Sequence, residues 1–156
     1  MPDTQVSRWT QQGTVFCWRY LGSTGYPGWN LTPDEVARRS LLRLVDLMLS
    51  ARFSSSQTVR LARPPGTIAD IPRRPHYKWS SGVSELHIHF PKDTAAPDHW
   101  LGERQGSCLQ LKLGERRLQE FREGFEDVID SDDEWAIGPD NDDAQLIYFR
   151  HLPPGA

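Results

Sequence analysis

One motif and the apolar pattern that follows it predict a helix in the first third of the chain. In Thr32-Pro33-Asp34-Glu35, the Thr32 hydroxyl can accept a hydrogen bond from the Glu35 amide while the Glu35 carboxylate reaches back to the Thr32 amide. Pro33 suits the first helical position, where the backbone needs no donor. Because apolar residues then recur at intervals of three and four, we predict an amphipathic helix over residues 33–51 that buries one stripe.

Five segments have the composition or the alternation of β-strands. The clearest is residues 84–90, where apolar side chains alternate with Glu85, His87 and His89 and so predict a strand with one face toward solvent. The same alternation in residues 108–113 favours an antiparallel pairing of these two strands. In chain order, the predicted strands are residues 14–20, 57–61, 84–90, 108–113 and 145–149.

A second amphipathic helix is predicted over residues 115–130, with Leu118, Phe121 and Phe125 on its apolar face. The resulting order of elements predicts an α+β fold, a two-layer sandwich in which both helices pack on one face of a mixed or antiparallel sheet of about five strands. The first elements also leave open a βαβ unit. Leu44 and Phe121 stand in the middle of the two apolar stripes, and we expect both to be almost fully buried.

The length of 156 residues favours a single domain, 1–156, which is large enough to bury a core without disulfides. Within it, residues 1–12 are expected to form a polar N-terminal tail, and residues 64–81 a long Pro- and Arg-rich connection. Cys17 and Cys108 lie far apart in predicted strands and are expected to be reduced and packed.

Neither a membrane segment nor a secretion signal is predicted. The chain has no apolar run near the ~20 residues of a membrane helix, and residues 1–12 lack the apolar stretch of a signal peptide. We therefore expect a soluble, cytoplasmic protein without membrane contact, and fifteen arginines against three lysines favour a bacterial origin. Gly22-Ser23-Thr24-Gly25 lacks the spacing of a phosphate-binding loop, so no cofactor and no catalytic residue is assigned.

Charge is divided unevenly along the chain, with a net charge of +5 in residues 1–112 and −8 in residues 113–156. Between Arg122 and Arg150 there are ten carboxylates and no basic residue, a segment that we call the acidic lobe. Its field would attract a basic protein and repel nucleic acid. The predicted partner-binding residues are Asp130, Asp132, Asp133, Glu134, Asp140, Asp142 and Asp143.

The acidic lobe leads to the first functional hypothesis, a non-enzymatic protein-binding module of inhibitor or immunity type. In this hypothesis the lobe contacts a basic protein partner, and no nucleic acid is involved. The alternative left open is a solvated helix end and loop that serves only solubility.

The second hypothesis is a small metal-binding protein or enzyme that uses the polar face of the strand at residues 84–90. His87 and His89 share this face and could bind one metal ion, with His76 or His99 from the flanking loops as a third ligand. A pair of exposed polar residues is the simpler interpretation. The side chains predicted to share the face are Thr58, Arg60, Glu85, Gln110 and Lys112.

The strand at residues 145–149 is apolar on both faces, so the face away from the helices needs a cover. A homodimer through this strand would provide one, since twofold dimers are the commonest oligomers. Residues 64–81 could instead fold back over the same face, and the sequence leaves both alternatives open.

Overall fold

The structure is a computed structural model that describes residues 4–21, 28–65, 79–80, 82–127, 135–138 and 147–149. No helix among these residues is long and apolar enough to cross a membrane. The helices are α1 (Thr4–Arg8), α2 (Glu35–Ser50) and α3 (Glu115–Asp127). The strands are β1 (Val15–Tyr20), β2 (Trp29–Pro33), β3 (Ser55–Ala62), β4 (Trp79–Ser80), β5 (Glu85–Phe90), β6 (Trp100–Gln105), β7 (Cys108–Leu113), β8 (Trp135–Ile137) and β9 (Ile147–Phe149).

The strands form one mixed sheet that curls strongly into a half-barrel. Eight of them follow one another in the order β6-β7-β5-β3-β1-β2-β9-β8, and the short β4 pairs with β1 outside this path. The predicted two-layer sandwich of two helices on about five strands is therefore wrong. The additional strands β2, β6 and β8 lack the regular alternation that marks a strand in the sequence, and they extend the sheet enough for it to curl.

The start of α2 differs from the prediction because Asp34, and not Thr32, is the N-cap. Asp34 Oδ1 accepts a hydrogen bond from the Ala37 amide at 2.7 Å, and Oδ2 accepts one from the Thr14 amide at 3.0 Å. Thr32 and Pro33 end β2 and pair with β1. Aspartate caps a helix as well as threonine does, so the chain can use Asp34 as the cap and leave Thr32 in the sheet.

Asp34→Ala should lower the free energy of unfolding by about 1–2 kcal/mol, because it removes both the helix cap and the bond to Thr14. Thr32→Val is the matched control. The Thr32 hydroxyl is buried without a hydrogen-bond partner in the described residues, so a methyl group of the same shape should leave stability unchanged or raise it. Chemical denaturation followed by circular dichroism measures both variants. A larger loss of stability for Thr32→Val than for Asp34→Ala would show that Thr32, and not Asp34, is the N-cap.

Two strand pairings determine the path of the chain. β1 and β3 are parallel, so β1, α2 and β3 form the βαβ unit that the sequence left open, with β2 inserted before the helix. β5 and β7 are also parallel, and the predicted antiparallel pairing is wrong. After β5 the chain passes beyond β7 and forms β6 on its far side. A turn at Gly106 (φ 61°) then joins β6 to β7 in an antiparallel hairpin.

A single hydrophobic core joins the sheet to all three helices. Leu44 on α2 and Phe121 on α3 are both 0% exposed, which confirms the predicted buried stripes. Cys17 and Cys108 are free thiols, as expected, and burial raises the pKa of Cys17 well above its ordinary value.

Residues 4–12, expected to form a polar tail, contain α1 and pack against α2 and β3. Val6 and Trp9 are buried, which gives a helix of five residues the tertiary support that it needs. Most of the connection predicted at residues 64–81 lies outside the described residues, apart from its first two residues and β4 near its end.

Candidate functional site

The seven predicted partner-binding residues of the acidic lobe lie outside the described residues, so their role stays a prediction. They are Asp130, Asp132, Asp133, Glu134, Asp140, Asp142 and Asp143. Of the lobe's carboxylates, the structure describes the side chains of Glu123 and Glu126 on α3, which are both exposed. Glu126 pairs with Arg122, which also contacts Asp46 of α2 at 2.7 Å.

His87 and His89 occupy the polar face of β5, and the opposite face of this strand is buried, which confirms the predicted alternation. Partial burial, followed by the Lys112 ammonium and His87, lowers the pKa of His89 below its ordinary value. Four polar side chains flank the two histidines on the neighbouring strands: Ser56, Thr58, Gln110 and Lys112.

Within the described part of the chain, no three His, Cys, Asp or Glu side chains come together as a group that could hold a metal ion. His99 lies just before β6. Its Nε2 is buried, and no described residue forms a hydrogen bond with it. His76, the other proposed third ligand, lies outside the described residues. The metal site at His87 and His89 therefore stays a prediction.

β9 is apolar on both faces, as the sequence predicts, and both faces are buried within a single chain. Ile147 and Phe149 belong to the main core, while Tyr148 on the other face is 8% exposed. The described part of the strand thus presents little apolar surface to a second copy, and the homodimer through it stays a prediction.

A half-open groove of about 640 Å³ lies between α1 and α2, on a surface that the sequence analysis did not single out. This volume is in the range of natural ligand sites. Three arginines line it together with apolar and neutral polar side chains. The lining residues are Gln5, Arg8, Trp9, Thr10, Gln12, Val36, Arg39, Ser40, Arg43 and Leu47.

The α1 wall of the groove is fixed to α2 through Ser40. The Trp9 indole Nε1 donates a hydrogen bond to the Ser40 carbonyl at 2.9 Å, and the Gln12 amide donates one to the Ser40 hydroxyl at 3.1 Å. On the other side, the Gln57 side chain donates to the Val6 carbonyl at 3.0 Å. These bonds hold α1 against both α2 and β3, so the groove is a preformed feature of the fold.

Among the described residues, Arg8, Arg39 and Arg43 line the groove and no acidic residue does, so its described lining is positively charged. Arg39 has a local partner, since its Nε lies 2.9 Å from Glu35. Arg8 and Arg43 are exposed, and within the described ranges no carboxylate lies within ion-pair distance of either. Two guanidinium groups without an ion-pair partner in these ranges therefore line a shared depression.

Arg38, the neighbour of these arginines, belongs to a different contact. Its guanidinium forms a two-pronged ion pair with Glu35, at 3.0 Å for both bonds, and also donates to the Phe125 carbonyl of α3 at 3.4 Å. The hydrogen bond from Arg38, followed by that from Arg39, lowers the pKa of Glu35 to about 2. The Glu35 carboxylate is thus ionised and engaged by two arginines, and Arg8 and Arg43 remain available to a ligand.

Comparison with known protein families, curated proteins and solved structures finds no match to this chain. Function therefore has to be argued from the surface itself, and the groove between α1 and α2 is the described feature with the most defined chemistry.

Proposed function

We propose that this protein is a binding module that holds an acidic segment of a partner protein in the groove between α1 and α2. The observation that carries the proposal is a concave lining whose described residues include three arginines and no acidic side chain. The sequence also predicts a protein-binding module, but through the acidic lobe and not through this groove. A contact between the acidic lobe and a basic protein stays a separate prediction.

The lining favours a polypeptide with both carboxylates and apolar side chains. Guanidinium groups bind carboxylates through paired hydrogen bonds, and arginine and tryptophan are the residues most enriched at the energetic centres of protein interfaces. Val36, which is 53% exposed, and Leu47 provide apolar surface beside Arg39 and Arg43. An amphipathic acidic segment matches both properties.

A phosphate ligand fits the groove less well. Phosphate sites commonly use the free amides at a helix N-terminus, but Asp34 already accepts a hydrogen bond from the Ala37 amide at the start of α2. The described lining residues also include neither a lysine nor a glycine. We therefore favour carboxylates over phosphates as the groups that the arginines bind.

The proposal predicts that Arg8→Gln/Arg43→Gln weakens the binding of a fluorescently labelled amphipathic peptide of glutamate and leucine. We expect a loss of about tenfold, or ~1.4 kcal/mol, and a similar weakening of the wild type when NaCl is raised from about 0.05 M to about 0.5 M. Fluorescence anisotropy measures both effects.

Arg52→Gln/Arg60→Gln is the matched control for this experiment. It removes the same charge from exposed positions outside the groove, so it separates local contacts from the effect of net charge. Equal loss in the two double variants, or no binding by the wild type, would contradict the proposal.

A further inference from the structure

We infer that the acidic segment held in the groove is an α-helix of the partner protein. This helix presents two carboxylates one turn apart, with an apolar side chain one turn beyond each. The inference rests on the proposed function and names the conformation and the side-chain pattern of the bound segment. Its basis is the spacing of the groove's own side chains along α2, which supplies five of the described lining residues.

The five lining residues of α2 form one stripe along the helix, which we call the groove stripe. They are Val36, Arg39, Ser40, Arg43 and Leu47. At ~100° per residue, all five lie within about 100° of one another around the helix axis. At ~1.5 Å per residue, the groove stripe is about 16.5 Å long, or about three helical turns. A ligand that contacts all of it therefore runs along α2 and not across it.

Along the groove stripe, two apolar side chains lie at the ends and two arginines lie between them. Val36 precedes Arg39 by three residues. Arg43 follows Arg39 by four residues, and Leu47 comes four residues later. Successive side chains of this series are therefore ~4.5–6 Å apart along the helix axis. Val36 is exposed and Leu47 is half-buried, so both apolar ends present surface to a ligand.

An α-helix that lies along α2 repeats its side chains at the same intervals, whether it runs parallel or antiparallel to α2. Residues three and four apart on one helix face are ~4.5–6 Å apart along the axis, whereas alternate residues of a strand are ~6.6 Å apart. Over the three intervals of the groove stripe, a strand would end ~3 Å too far along. A helix instead places carboxylates at Arg39 and Arg43 and apolar side chains at Val36 and Leu47.

The backbone of the groove also favours a helix over an extended segment. An extended peptide commonly binds by adding a strand to the edge of a sheet, where its backbone N–H and C=O groups find partners. None of the described lining residues belongs to a strand, so this part of the groove offers no sheet edge. A helix satisfies its own backbone groups and needs only side-chain contacts with the groove.

Two carboxylates of α2 lie beside the groove stripe, and arginines hold both of them. Glu35 and Asp46 are ~20–40° around the helix beyond Arg39, and neither lines the groove. Glu35 pairs with Arg38 and Arg39. Asp46 lies 2.7 Å from Arg122 of α3. Because both carboxylates already have basic partners, the groove stripe keeps its attraction for an acidic helix.

Fluorescence anisotropy with labelled peptides tests the inference. The matched peptide is a host helix of alanine and glutamine with two glutamates four residues apart and a leucine one turn before and one turn after the pair. The permuted peptide has the same composition, but its glutamates lie on the opposite helix face from the leucines. The proline peptide is the matched peptide with one central alanine, on the face away from the glutamates, replaced by proline.

We expect the matched peptide to bind about tenfold more tightly than the permuted peptide and the proline peptide. The permuted peptide cannot place its carboxylates and leucines on the groove stripe together, and proline breaks the helix. Glutamine in place of the same central alanine is the control, and it should leave the affinity unchanged.

Two exposed apolar residues provide a matched pair of protein variants. Val36→Ser should weaken the binding of the matched peptide about threefold, because a leucine of the peptide loses apolar contact. Phe53→Ser removes an exposed apolar side chain outside the groove and should leave the affinity unchanged. Equal effects of the two substitutions would overturn the inference.

The peptide results also separate the inference from the function on which it rests. Permuted and proline peptides that bind as tightly as the matched peptide, through Arg8 and Arg43, would overturn the helical pattern and leave the proposed function standing. A wild-type protein that binds no acidic peptide would overturn both.

Discussion

Phe121→Ala should lower the free energy of unfolding by about 3–5 kcal/mol. The Phe121 side chain is 0% exposed, and its ring meets Phe125 and Phe149 edge-on, with centroid distances of 4.9 and 5.6 Å. The substitution would lose the transfer energy of a buried ring and leave a cavity between α3 and β9.

Urea denaturation measures this loss, and Phe53→Ala is the control. Phe53 is 51% exposed, so its truncation should change stability by less than about 0.5 kcal/mol. A comparable loss for the two variants would contradict the assignment of Phe121 to the core.

Gly124→Ala should destabilise the protein by about 1–3 kcal/mol, although alanine is the better helix former. In an open helix this change would stabilise by roughly 0.5–1 kcal/mol. Here a Cβ at Gly124 would lie 2.5–2.7 Å from three ring atoms of Phe149. The ring cannot easily move, because Phe121 and Phe125 pack against it.

The neighbouring exposed position provides the comparison for Gly124→Ala in thermal and urea denaturation. Glu123→Ala should remain within about 0.5 kcal/mol of the wild type. The double variant Gly124→Ala/Phe149→Leu should lose less stability than the sum of its single variants, because the two positions share one contact. A stabilising Gly124→Ala would show that α3 does not lie this close to β9.

The sequence predicts the strands and helices that bury one face, because their apolar side chains recur with the period of the element. β5 and β7 show the period of two, and α2 and α3 the longer period of a helix, so all four are found near their predicted positions. β2 shows no alternation, because each of its residues is buried. Its last two residues, Thr32 and Pro33, also match the pattern of a helix start. β6 is an edge strand with mostly exposed residues, and its composition is that of a loop.

The pairing of strands depends on contacts between distant parts of the chain, and this is why the architecture was wrong. Alternation specifies which face of β5 and of β7 is buried, but not whether the two strands are parallel. They are parallel because β6 lies between them in the sequence and pairs with the far side of β7. The missed strands then convert a small sheet into a half-barrel.

The groove could have been found only in part from the sequence. Arg39 and Arg43 stand four residues apart and so share a helix face, and the spacing of Val6 and Trp9 is that of a short amphipathic helix. The missing information is that α1 packs against this face of α2, which depends on the bonds from Trp9 and Gln12 to Ser40.

The central claim, that the groove between α1 and α2 is the binding surface, is tested most directly by two-dimensional ¹H–¹⁵N NMR during titration with the glutamate and leucine peptide. We predict that the largest shifts occur at the Trp9 indole and at the backbone and side-chain signals of Arg8, Arg39 and Arg43. Shifts centred on His87 and His89, or a spectrum that does not change when the peptide is added, would contradict the claim.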